Sequence, residues 1–149
     1  MQQHSFRVIC EPLEDRLLLS RPLGIDTSHY DTAVDWTQVK ASGVSFAWTK
    51  ITEGTSYLDP TASTFLPAAK AAGVYIGAYH FARYDEDSAA SEVNWYLQNA
   101  SPYIKAGYMV PMLDVEHSTT LTKTQLSQWI NDWCNGVYSA TDVKPVIYT

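Results

Sequence analysis

The sequence predicts an α/β fold in which short strands alternate with amphipathic helices on a parallel sheet. Three observations carry the prediction. From Leu23 onward, apolar β-rich runs are separated by segments of helical period, the pattern of successive βα units. The helical segments carry recognisable start and stop signals. Polar residues follow four of the apolar runs, as they do where α/β sheets place their sites at strand carboxyl ends. A chain of 149 residues with 46% hydrophobic content can bury one sizeable core. One domain over residues 22–149 is expected, behind a leader-like segment at 1–21.

The candidate strands, in order, are Leu23–Thr27, Val44–Ile51, Val74–Phe81, Met109–Val115 and Pro145–Thr149. Between the second and third, Asp59-Pro60 reads as an N-cap and first-turn proline of a helix running toward Ala72, stopped by Gly73. Pro67 inside that helix predicts a kink or a split. Asp87 is placed to cap the next helix, whose apolar face is Ala90, Val93, Leu97 and Ala100. Thr122 with Gln125 forms a capping box ahead of Leu126, Trp129, Ile130, Trp133 and Val137 at helical spacing, so these tryptophans read as core. Five strands are too few to close an eight-stranded barrel, and the last ends with the chain at Thr149. A C-terminally truncated domain is therefore expected.

Composition narrows the function. A net charge of −6 disfavours nucleic acid or an anionic membrane as the main partner, since both attract basic patches. No run approaches the roughly 18 apolar residues of a membrane-spanning helix. Ten Tyr and five Trp supply rings able to stack on sugar faces, although packing accounts for most such rings. Cys10 and Cys134 make no metal-ligand pattern and no disulfide framework. His29 and His117 fall in loops without ligand spacing, so no metal is expected. No Gly-x-Gly-x-x-Gly or Walker-type loop is present, so no nucleotide cofactor is expected.

The chemistry concentrates in Asp114-Val115-Glu116. Carboxylates at i and i+2 of a strand point to one face, about 7 Å apart. Like charges that close in a partly buried mouth raise one pKa, leaving one protonated and one ionised group, as glycosidases require. A solvated strand end or an ion pair explains such a dipeptide equally well without context.

Context comes from a series of segments in order: Gly24-Ile25-Asp26-Thr27-Ser28-His29-Tyr30, Asp35-Trp36, Lys50-Ile51-Thr52-Glu53-Gly54, Asp59-Pro60, Gly77-Ala78-Tyr79-His80-Phe81, Pro111 to Glu116, and Lys144-Pro145-Val146-Ile147-Tyr148-Thr149. Together they resemble glycoside hydrolase family 25, the Chalaropsis-type lysozymes, over residues 23–149. The resemblance implies a β/α (TIM-like) barrel, incomplete here, that hydrolyses the β-1,4 bond between N-acetylmuramic acid and N-acetylglucosamine in peptidoglycan. It implies Glu116 as general acid, Asp114 as its partner carboxylate and Asp26 as a further active-site aspartate. Two mechanisms stay open: attack by the substrate's own 2-acetamido oxygen with Asp114 orienting it, or attack by an activated water with inversion.

Tyr79 and Tyr148 end their strands where a phenol can bond a carboxylate or an N-acetyl group. Lys50 and Glu53 lie in a family-like loop and read either as substrate contacts or as a structural ion pair. If Tyr79 faces the mouth, alternation turns His80 toward the helices, where a packed, hydrogen-bonded histidine is expected. Glu11–Ser20 resembles a short N-terminal motif of secreted or surface proteins of some bacteria, which implies export; a frayed terminus is the alternative. The expected protein is an extracellular or cell-surface monomer acting on glycan strands. The competing reading is a glycan-binding protein that lost turnover by truncation. A chitinase-like barrel is disfavoured by the Gly24–Tyr30 segment.

Overall fold

The computed structural model describes residues 21–105 and 107–149; the leader-like segment other than Arg21, with Cys10, lies outside them. The elements run β1 (Leu23–Thr27), α1 (Trp36–Ala41), β2 (Val44–Glu53), β3 (Tyr57–Leu58), α2 (Ala62–Ala71), β4 (Tyr75–Phe81), α3 (Ala89–Ala100), a 3₁₀ turn (Ser101–Tyr103), β5 (Met112–Asp114), α4 (Lys123–Thr141) and β6 (Val146–Tyr148). Strands β1, β2, β4, β5 and β6 are parallel neighbours in that order, with β3 antiparallel on the end of β2. The result is a curled half-barrel of five parallel strands, the incomplete TIM-like barrel expected. Among the described residues, no helix is long and apolar enough to cross a membrane.

Alternation along the strands separates the two faces. On β4, Ile76, Ala78 and His80 turn outward and are sealed under α2, α3 and α4 with Leu66, Tyr96, Trp133 and Val137. Burying such large side chains stabilises each by roughly 1.5–3 kcal/mol, which is why the helices stay on the sheet. Trp129 and Trp133 belong to this core, as their helical spacing predicted. On the concave face, bulk alternates with its absence. A Cβ on Gly24 would sit 2.0 Å from the Phe46 ring, and one on Gly77 would sit 2.6 Å from the Trp48 indole. The two glycines therefore make room for two aromatic side chains inside the curl.

The element ends follow local chemistry, with some departures from expectation. The capping box on α4 forms: Thr122 Oγ1 accepts from Gln125 N, and Gln125 Oε1 accepts from Thr122 N. Ser88, not Asp87, caps α3; the Asp87 carboxylate instead accepts from Thr55 Oγ1 at 3.2 Å. Helix α2 begins after Thr61 rather than at Pro60, because Asp59 accepts Thr61 N and Oγ1. It also runs unsplit through Pro67: that residue is exposed, while Phe65, Leu66 and Ala69 are buried and hold the helix down. Strand β5 pairs only from Met112, since Pro111 offers no N–H to a ladder. Helix α1 and the two-residue β3 were not anticipated. Asp35 caps the first by accepting Thr37 N and Gln38 N, a signal short enough to pass for a loop.

Candidate active site

Register assembles the site. Asp26 pairs with Trp48, Lys50 with Tyr79, and Phe81 with Asp114, which in turn pairs with Tyr148. Residues far apart in sequence thus arrive near the carboxyl ends of the strands, in steps of two residues: Asp26 level with Gly77, Tyr79 with Met112, and Asp114 with Phe81 and Tyr148. Asp26, Lys50, Tyr79, Asp114, Glu116 and Tyr148 all line a single cleft of about 380 Å³ there. Glu53 does not stand on this wall. It lies behind Lys50, accepting a bond from the Lys50 ammonium and two from the Arg83 guanidinium. Burial works to raise its pKa, but these cationic partners outweigh it and hold the carboxyl below its ordinary value.

The three carboxylates sit in different surroundings. Asp26 and Glu116 are exposed at the mouth, whereas Asp114 is only 6% exposed at the base. Its Oδ1 is buried with no hydrogen-bond partner among the described residues. Burial pushes the Asp114 carboxyl up to about 7; the charges of Glu116 and Asp26 add to this and the Lys50 ammonium opposes it. The raised carboxyl of the Asp-x-Glu pair is thus the inner one. Tyr79 is 6% exposed beside it, and burial followed by the Asp114 and Asp26 charges drives its phenol well above the usual range. Tyr79 is therefore a neutral hydrogen-bonding group at any working pH.

Two anchors hold the segment that carries Glu116. Val115 N donates to Tyr148 O at 2.9 Å, and the Tyr84 hydroxyl donates to the His117 carbonyl. The His117 ring also lies 3.1 Å from an Arg83 nitrogen. Glu116 is fixed from both sides while its carboxylate stays in solvent. Asp85, Glu86 and His117 bring one ligand-type atom each within 4.8 Å of one another, but the Arg83 guanidinium already supplies positive charge among them.

Behind the cleft wall lies a polar group that sequence reasoning missed. His80, fully buried as expected, lies 2.8 Å from Thr52 Oγ1 through Nδ1 and 2.6 Å from Glu92 Oε2 through Nε2. Glu92 also accepts the Arg83 backbone N–H. Burial pushes Glu92 up to about 8 and His80 down to about 3, so the pair holds one proton and no net charge. The available signal was a lone carboxylate in the buried stripe of α3 with Ala89, Val93, Tyr96 and Ala100. A charge on an apolar stripe implies a buried partner, but not which one.

A parallel β/α half-barrel with three carboxylates and several aromatic rings at the strand carboxyl ends has the architecture of a barrel-type glycoside hydrolase. Residues 25–149 match the family model for glycosyl hydrolases family 25, and the chain belongs to that family. It is similar to Lysozyme M1 of Streptomyces globisporus, with 37% identity over 133 residues that make up 85% of this chain and 45% of that protein. Similarity to the N,O-diacetylmuramidase of Chalaropsis sp. is 29% over 136 residues, covering 85% of this chain and 64% of that protein. Among solved structures, a bacterial lysozyme from Streptomyces coelicolor superposes with a TM-score of 0.80 at 36% identity, covering 88% of this chain and 64% of that one. A family GH25 lysozyme from Aspergillus fumigatus superposes with a TM-score of 0.79 at 32% identity, over 85% and 64% of the two chains. The chain thus spans less than two thirds of the length of these relatives.

Proposed function

We propose that the chain carries the catalytic cleft of a muramidase, which hydrolyses the β-1,4 bond between N-acetylmuramic acid and N-acetylglucosamine in peptidoglycan. The observation that carries this reading is Asp114: a buried carboxyl on the cleft wall, poised near neutrality, with one oxygen lacking a partner. A buried acceptor without a donor is costly unless a ligand supplies one, and the N–H of a 2-acetamido group is such a donor. Glu116, exposed at the mouth, takes the role of general acid. It delivers its proton to the leaving glycosidic oxygen as the bond to C1 breaks.

The acetamido N–H favours the ionised form of Asp114, which as a carboxylate orients the group so that its carbonyl oxygen closes on C1 and stabilises the positive charge that develops on the ring. Water then opens the cyclic intermediate and returns a proton to Glu116. The buried orphan oxygen favours this route over direct attack by water, because it fits an acceptor for the acetamido N–H. Asp26 adds negative charge opposite, Tyr79 and Tyr148 offer neutral hydrogen bonds, and Lys50, with Glu53 behind it, limits how far Asp114 rises. The substrate places the work outside the cytoplasm, and a monomer suffices for it.

The deciding experiment is release of new reducing ends from purified peptidoglycan by this chain and by longer chains that contain it, each beside Glu116→Gln. Cleavage abolished by Glu116→Gln supports the reading. Binding of glycan without cleavage by any of them overturns it in favour of a glycan-binding module.

A further inference from the structure

The turn after β1 holds an aromatic side chain in solvent on a rigid support. Tyr30 lines the cleft yet is 82% exposed. Its ring lies 4.0 Å, centroid to centroid, from the imidazole of His29. That imidazole is fixed from beneath: Asp59, with a fully buried side chain, accepts the His29 backbone N–H and lies 3.0 Å from Nδ1. The Tyr57 hydroxyl is 3.0 Å from the same nitrogen. Asp59 is held in turn by Thr61 N and Oγ1. The Tyr30 backbone is pinned as well, because Ser28 N donates to Asp31 Oδ2 and Asp31 N donates to Ser28 O.

Asp59 has a local structural task at the start of α2 through Thr61, and the His29 ring that it also supports meets Tyr57 and the exposed Tyr30. What this support secures is the orientation of the Tyr30 ring at the rim of the cleft. A pre-oriented ring with only two rotatable side-chain bonds loses little freedom on binding, and its flat face suits the axial C–H face of a pyranose. Resting on the muramidase reading above, we propose that Tyr30, seated on His29, forms an additional sugar-binding subsite at the cleft rim, one that takes an N-acetylhexosamine ring beyond the two flanking the cleaved bond. The subsite favours long glycan strands over short ones.

The test measures binding in the Glu116→Gln background, so that no glycan is consumed, using soluble peptidoglycan glycans of one, two and three disaccharide units. Affinity is expected to rise with length, and Tyr30→Ala is expected to remove about 3- to 10-fold from the ligands longer than one disaccharide unit, leaving the single unit unaffected. Tyr30→Phe keeps the ring and should retain the gain, while His29→Ala should lose it as Tyr30→Ala does. Because Tyr30 is exposed, its truncation should leave the unfolding midpoint unchanged. Equal weakening at every length, or none at any, overturns the subsite while leaving the muramidase reading intact. Failure of Glu116→Gln to bind any of these glycans overturns both.

Discussion

On β4, Tyr79 faces the cleft and its neighbour His80 faces the helices, and the polar groups around the two are completed in opposite ways. His80, Glu92 and Thr52 satisfy one another in a sealed layer, sharing one proton with no net charge. Asp114, one strand over on the cleft side, is almost as deeply buried, yet one of its oxygens has no partner. Both sets are desolvated and both contain a carboxyl raised toward or past neutrality. Burial and a raised pKa are therefore common to both sets; what separates them is that the hydrogen bonds of one are complete and those of the other are not.

The sharpest way to break this comparison is to neutralise each carboxyl and read activity beside stability. Asp114→Asn should lower cleavage of peptidoglycan by about 10²- to 10⁴-fold in any form of the protein that cleaves it. It should leave the unfolding midpoint intact, or raise it above pH 7, because it removes a buried charge that nothing completes. A large loss of stability with no loss of activity would reverse the roles assigned to the two layers.

Glu92→Ala should do the opposite, costing about 3 kcal/mol by leaving His80 Nε2 without its partner and the Arg83 backbone N–H without its acceptor. Chemical denaturation measures this. Glu92→Gln, which keeps an acceptor for Arg83, should cost less. If Glu92→Ala unfolds no more easily than the parent, the sealed pair is not what ties α3 to β4.

The pH dependence of stability sharpens the contrast further. Asp114 and Glu92 have folded values raised to about 7 and about 8, so the stability each contributes is complete at low pH and is lost as pH rises through those values. His80 is lowered to about 3, so its contribution is present above the unfolded value of 6.5 and is lost as pH falls toward 3. Stability should therefore be greatest near pH 4 to 4.5 and decline up to about pH 8, most steeply between about 6.5 and 7, where the gain from His80 has ended and both carboxyls still lose theirs. Asp114→Asn should remove the component of that decline that ends near pH 7, and Glu92→Gln the component that continues to about pH 8. A profile that neither substitution changes would show that other groups govern it.

The smallest effect is a proton count. An acetamido N–H donated to Asp114 favours the ionised carboxylate, so glycan binding at pH 7 should release a fraction of one proton. Titration calorimetry in buffers of different ionisation enthalpy, in the Glu116→Gln background, detects this, and Asp114→Asn should abolish it. Proton uptake would instead mean that the ligand presents an acceptor to a protonated Asp114.

Much of this architecture was legible in one dimension. The strand runs, the capping box at Thr122 and the tryptophan spacing on α4 depend on contacts within a few residues, which a linear pattern records. So does the inward-outward alternation that sent Tyr79 to the cleft and His80 to the helices. The family segments marked Asp26, Asp114 and Glu116, and all three line one cleft. The misplaced cap on α3 and the unsplit α2 were decided by longer contacts: Asp87 to Thr55, and the burial of Phe65 and Leu66 against the sheet.

By itself, the sequence determined the class of fold, because periodicity and local spacing encode it, while the carboxylates proposed for acid chemistry were marked by the ordered family segments and not by spacing alone. Only the tertiary structure decided which carboxyl of Asp-x-Glu is raised, that Glu53 answers Lys50 and Arg83 behind the wall, and that Glu92 completes His80. Those outcomes depend on how much water each group loses and which partners the sheet register brings within 3 Å, and register joins residues tens of positions apart.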